Sequence, residues 1–118
     1  MNDENIERLN LLLQSFDECR IESFDGSQLV IIGCWDLCYH HNFEVEFGEV
    51  IYLQCPTYFC AQKFRLASPT ETSLFNVRDY CDDKEKVFCF ESDDDNFFII
   101  AQSLALREGL VLHYKRET

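Results

Sequence analysis

Strict alternation of apolar and acidic residues in HNFEVEFGEVIYL, residues 41–53, constrains the fold more than any other feature of this sequence. One face of the extended chain carries Phe43, Val45 and Phe47, and the opposite face carries Glu44 and Glu46. A period of two is that of a β-strand with one face in a core and the other face in water. The segment therefore predicts a half-buried strand, and Gly48 then marks a turn or bulge before a further strand begins near Val50.

Turn signals divide the rest of the chain into short strands. Asp25-Gly26 predicts a tight turn between strands near 21–24 and 29–32, because this pair tolerates a positive φ. Further strands are predicted over 62–67, in KEKVFCFE and FFIIAQSL on either side of the polar tip SDDDN, and in the final GLVLHYK. Short connections between strands favour antiparallel pairing.

Two helices complete the predicted elements. Near the N-terminus, apolar residues recur at spacings of three and four, which predicts an amphipathic helix over roughly residues 3–17. Its apolar stripe consists of Ile6, Leu9, Leu13 and Phe16. Further along, Ser68 and Glu71 form a capping box with Pro69 at the first helical position, which predicts a short helix near 69–80.

These elements predict a single α+β domain over residues 1–118. The N-terminal helix packs on a curved, mainly antiparallel sheet of about seven to eight strands. The sheet either stays open or closes partly into a barrel. A chain of 118 residues with 47% hydrophobic residues is large enough to bury one core.

Residues 33–50 also concentrate side chains that bind metals. With two downstream cysteines, the candidate ligands are Cys34, Cys38, His40, His41, Cys55 and Cys60. Within one strand, however, Cys34 and Cys38 would lie about 13 Å apart, too far for one ion. A tight C-x2-C turn is also lacking. We therefore predict a hairpin with no metal and no cofactor, and keep a metal- or thiol-dependent enzyme using this cluster as an alternative.

The number of cysteines, seven, is odd, so they cannot all pair in disulfides within the chain. The charged N-terminus MNDENIERLN has no apolar signal region. Together these features predict a cytoplasmic protein with free, buried thiols. No apolar run approaches the roughly 20 residues that span a bilayer. The strands that carry the cysteines show no glycine-rich elbow that would activate a nucleophile, so the prediction is that the chain is not an enzyme.

Charge gives the strongest indication of the class of partner. The formal net charge is −12, and residues 1–60 contribute −9 of it, with 11 acids against two bases. A surface this negative repels nucleic-acid phosphate and anionic lipid, and it attracts cationic proteins. We therefore expect a basic protein partner, and neither nucleic acid nor a membrane.

A small acidic domain that is rich in cysteine and aromatic residues and lacks a catalytic motif resembles the bacterial toxin-immunity proteins in its overall profile. That resemblance implies a non-enzymatic inhibitor that neutralises a basic partner by presenting carboxylates to it. In this chain Glu44, Glu46 and Glu49, with little basic compensation nearby, are the predicted source of charge. Trp35 and Tyr39 are the predicted aromatic anchors.

Two other interpretations remain open at this stage. The inward aromatic residues would line a pocket if the sheet formed a cup for a small ligand; these residues are Phe43, Phe47, Phe88 and Phe90. Alternatively, the outward glutamates would serve only to block sheet-to-sheet aggregation.

Overall fold

The computed structural model describes residues 3–34, 40–73, 85–93 and 95–112. Within these ranges lie two helices and nine strands. They are α1 (Asp3–Leu13), β1 (Glu18–Phe24), β2 (Leu29–Cys34), β3 (His40–Gly48), β4 (Tyr52–Gln54), β5 (Tyr58–Cys60), β6 (Lys63–Leu66), α2 (Pro69–Ser73), β7 (Lys86–Glu91), β8 (Asn96–Ala101) and β9 (Ser103–Leu112).

The strands form two sheets in which every pair is antiparallel. Sheet A has the order β5-β1-β2-β3-β9, and sheet B has the order β4-β8-β7-β6. The predicted α+β class, with an N-terminal helix packed on antiparallel strands, is confirmed. The described strands do not close into a barrel, and they form two sheets where the sequence predicted one curved sheet.

A sharp corner joins the two sheets and explains this division. The chain leaves β3 at Gly48 to enter β4, and it passes from β8 to β9 through Gln102 alone. Backbone hydrogen bonds continue across the corner, with Gln102 N–H donating to Gly48 C=O at 2.9 Å and Ile51 N–H donating to Ile100 C=O at 2.9 Å. A Cβ on Gly48 would lie 2.3 Å from Ser103 Oγ, so a larger residue here would require the Ser103 side chain to move.

Aromatic rings from both sheets fill the space between them. Phe47 of β3 packs edge-on against Phe88 of β7, with ring centroids 5.3 Å apart, and Phe64 lies 4.6 Å from Phe90. Phe43 is also buried, and its ring covers Gly33, where a Cβ would lie 2.0 Å from the ring. The four rings that a ligand-binding cup would use as pocket walls are therefore buried, and three of them are in ring-to-ring contact.

Helix α1 closes one side of this sandwich, between the edge strands β9 and β6. Its apolar stripe, which includes Leu9, reaches the same core as the phenylalanine rings. The Asn10 side chain binds the outer edge of β6 in both directions: its Nδ2 donates to Phe64 C=O at 2.8 Å, and Phe64 N–H donates to its Oδ1 at 2.8 Å. On the β9 side, the Arg8 guanidinium donates hydrogen bonds of 2.7 and 2.8 Å to the two carboxylate oxygens of Glu108.

The local turn and cap signals predicted from the sequence are confirmed. In the β1–β2 hairpin, Gly26 has φ 95°, and Asp25 Oδ1 accepts the N–H groups of Ser27 and Gln28. At the start of α2, Ser68 N–H donates to Glu71, and Glu71 N–H donates to Ser68 Oγ. The rest of the helix predicted near 69–80 lies outside the described residues.

Several boundaries differ from prediction. Helix α1 ends at Leu13, and FFIIAQSL is broken at the corner by Gln102, so that Ser103 already belongs to β9. Strand β5 was not predicted, because three residues are too few to show a period. It nevertheless pairs with β1, and this places it at the edge of sheet A.

We expect Asn10→Asp to lower the free energy of unfolding by about 1–3 kcal/mol, because the substitution removes the donor to Phe64 C=O and sets a carboxylate against that oxygen. Urea unfolding followed by circular dichroism measures the change. Asn5→Ala is the matched control, since Asn5 donates a single 3.4 Å hydrogen bond to Leu104 and its loss should cost less. Equal losses in the two variants would contradict the role given to Asn10.

Candidate functional site

The predicted acidic residues lie together at and beyond β3. Glu44 and Glu46 project from the outer face of sheet A, with 23% and 33% of their side chains exposed. Glu49 is exposed in the turn that follows, where it has a left-handed backbone with φ 55°. The predicted aromatic anchors, Trp35 and Tyr39, lie outside the described residues.

Glu44 and Glu46 form an acidic stripe on the outer face of sheet A, and one arginine of β9 contacts both of them. Arg107 stands opposite Glu44 in the β3–β9 register. Its Nη1 lies 2.9 Å from Glu46 Oε1, and its Nη2 lies 3.2 Å from Glu44 Oε1. Hydrogen bonds to Glu46 and then to Glu44 raise the pKa of the Arg107 guanidinium. Two carboxylates thus share the Arg107 guanidinium.

The expectation of little basic compensation near these glutamates was wrong, because the cation is distant in sequence. Arg107 is 63 residues from Glu44. A signal existed in SLALREGL, where Leu104 and Leu106 alternate with outward residues that include Arg107. Recognising it requires knowing that β9 pairs with β3, which local patterns do not reveal.

The outer face beside this stripe is partly apolar. Strand β2 lies next to β3 and places Ile32 opposite Glu44 and Val30 opposite Glu46. Ile32 is buried, with Val30 packed against it. Farther along β3, the buried Asn42 Oδ1 accepts no hydrogen bond in the described part of the chain. Glu44 and Glu46 therefore lie beside apolar residues of β2 on the outer face of sheet A.

The pKa values of four described thiols are raised. Burial raises the pKa of Cys55 to about 11 and that of Cys89 to about 11, and it also raises the pKa of Cys19. Cys60 is exposed, yet its pKa is raised by partial desolvation and then by nearby carboxylates, among them Asp17. Each of these four thiols is protonated at neutral pH, whereas a nucleophilic cysteine has a lowered pKa.

The metal hypothesis concerns residues that are only partly described. Among the described side chains, no group of three or more histidines, cysteines or acids is arranged to hold a metal ion. That search covers Cys55 and Cys60. Cys38 and the side chains of Cys34, His40 and His41 lie outside the described residues.

A second charged cluster has a structural role. Arg65 of β6 donates two hydrogen bonds, of 2.7 and 3.0 Å, to the Glu71 carboxylate. Its Nε also donates a hydrogen bond to Glu91 of β7. These bonds tie α2 to sheet B. Hydrogen bonds from Arg65 and from the Ser68 backbone lower the pKa of Glu71 to about 2.

Comparison with protein-family models, with curated proteins and with solved structures finds no match. Within the described residues, no helix has both the length and the apolar character needed to cross a membrane.

We expect Cys60 to be alkylated by iodoacetamide more slowly at pH 7.5 than an unhindered peptide thiol, because its raised pKa leaves less thiolate. The rate should climb as the pH rises above 9. Fragment-ion mass spectrometry assigns the modified cysteine. Glu18→Gln removes a carboxylate opposite Cys60 in the β1–β5 register and should speed the reaction, whereas Glu4→Gln should not. Rapid labelling at pH 7.5 would contradict this assignment.

The Glu71 cluster predicts a pH-dependent contribution to stability. Because the pKa of Glu71 is lower in the folded chain than in the unfolded chain, its contribution is complete above about pH 4.5 and is lost as the pH falls towards 2. We expect Glu71→Gln to cost about 1–2 kcal/mol at pH 7. In urea unfolding, the difference between this variant and the original chain should shrink between pH 4.5 and pH 2. A difference independent of pH would contradict the ionic role.

Proposed function

We propose that this chain is a non-enzymatic protein-binding domain that docks a cationic protein on the outer face of sheet A. An immunity or inhibitor function, in which the domain neutralises a basic partner, is the concrete form of this proposal. The observation that carries it is the sharing of one guanidinium, that of Arg107, by Glu44 and Glu46.

This arrangement supports binding because the acidic groups are already ordered. Arg107 contacts both carboxylates, and it therefore restricts their side chains before any partner arrives. Binding a cation to ordered carboxylates costs less conformational entropy than ordering them on contact. A basic side chain of the partner would therefore meet carboxylates that Arg107 already holds in place.

The surroundings of the stripe support the same function. The partly buried Val30 on β2 adds an apolar contact beside Glu46, and interfaces typically combine apolar area with peripheral charge. The net charge of −12 would steer a basic protein towards the domain and speed association at low salt. Glu49, exposed beyond the end of β3, extends the acidic surface.

Charge-neutral substitution tests the site without breaking its geometry. In Glu44→Gln/Glu46→Gln, the amide oxygens still accept hydrogen bonds from Arg107, but two negative charges are lost. The matched control, Glu4→Gln/Glu7→Gln, removes two exposed charges from α1. Both variants should keep the circular dichroism spectrum of the original chain.

We expect native mass spectrometry of the chain, purified from its host at low salt, to show a stoichiometric basic protein that dissociates as salt rises. Titration with that protein should give an affinity about tenfold or more weaker for Glu44→Gln/Glu46→Gln, and near-original for the α1 control. Equal affinities in the two variants would exclude this face. Recovery of a chain without any basic partner would count against the proposed function itself.

A further inference from the structure

A cleft of about 470 Å³ opens where β4 separates from β8, on a different part of the molecule from the acidic stripe. The last paired residues of these strands are Gln54 and Phe98. Beyond them the chain turns through Pro56 towards β5, while the β7–β8 tip folds back through a 2.9 Å bond from Ser92 N–H to Asp95 C=O. The lining residues are Leu53, Gln54, Cys55, Pro56, Asp95, Asn96 and Phe97.

The apolar side of this cleft is continuous with the core. Leu53, Cys55 and Phe97 are half-buried and pack against the core cluster. The Phe97 ring also makes an edge contact with Phe59 of β5, with ring centroids 5.3 Å apart. These contacts fix the apolar surface before any ligand binds, so that a narrow aliphatic chain would meet a preformed wall.

The polar side of the cleft favours a cation. Among the described lining residues, Asp95 supplies a carboxylate, Gln54 and Asn96 supply amides, and none is a lysine or an arginine. Asp93 stands on the same tip, where it accepts a hydrogen bond from Gln62. An apolar wall beside a carboxylate rim complements a side chain that has an aliphatic stem and a charged end.

We propose that this cleft binds an arginine or lysine side chain of the cationic partner, a subsite that deepens the proposed function and rests on it. The alkyl stem of that side chain lies along Leu53, Pro56 and Phe97, and its charged end pairs with the Asp95 carboxylate. An arginine gains further contact by placing its guanidinium over the Phe97 ring.

A short peptide with a matched neutral analogue tests the cleft directly. The probe is Ac-Gly-Arg-Gly-NH2, and its control carries citrulline, which has nearly the same shape as arginine but no charge. Titration into the ¹⁵N-labelled chain at low salt should shift the amide resonances of Gln54, Cys55, Asn96 and Phe97 in a saturable way. Binding of the citrulline peptide should be about tenfold weaker.

Two variants separate the cleft from general charge effects. Asp95→Asn should weaken arginine-peptide binding about tenfold, whereas Asp93→Asn, which removes an equal charge from the same tip outside the cleft, should weaken it much less. Their amide spectra report whether each variant is folded. Equal binding of both peptides, equal effects of both variants, or absence of shifts at the cleft would each overturn the proposal.

The outcomes also separate this subsite from the acidic stripe. Glu44→Gln/Glu46→Gln should leave the peptide titration at the cleft unchanged, because the stripe does not line it. A failed peptide titration beside a weakened partner affinity in that variant would reject the cleft and leave the proposed function standing. A positive peptide titration with unchanged partner affinity would instead move the docking site from the stripe to the cleft.

Discussion

The paired hydrogen bonds between the Asn10 side chain and the Phe64 backbone hold helix α1 against the open side of the two sheets. The outer edge of β6 has a backbone donor and a backbone acceptor at Phe64, and a single amide satisfies both at 2.8 Å. With this contact in place, Leu9 lies against the aromatic core, and Arg8 reaches Glu108 at the edge of the other sheet. Helix α1 thus replaces a neighbouring strand and shields the core along one side.

The space between the two sheets is filled by buried side chains, and the sites that we propose lie at the surface. Phe47, Phe64, Phe88 and Phe90 occupy the space between the sheets, where their rings pack against one another. In the function that we propose, recognition depends on charged side chains at the surface of the domain. Arg107 orders Glu44 and Glu46 on one face, while the cleft beside Asp95 combines a fixed apolar wall with a carboxylate.

Local patterns in the sequence predicted what local physics determines. The Asp25 turn, the Ser68–Glu71 cap and the alternation along β3 each depend on residues within a few positions, and each appears in the structure. The partition into two sheets depends on the corner at Gly48, and the compensation of the glutamates depends on Arg107, a contact 61–63 residues away. No local periodicity in the sequence indicates which distant strands pair, so these contacts could be identified only from the structure.

Hydrogen exchange at the Phe64 amide tests the central claim that α1 seals the edge of β6. If Asn10 Oδ1 holds this N–H throughout the folded state, the amide should exchange only through global unfolding, with the same opening free energy as Ile99 in the middle of sheet B. Exchange at the rate of an unstructured amide, while Ile99 stays protected, would show that the edge is open and would contradict the account.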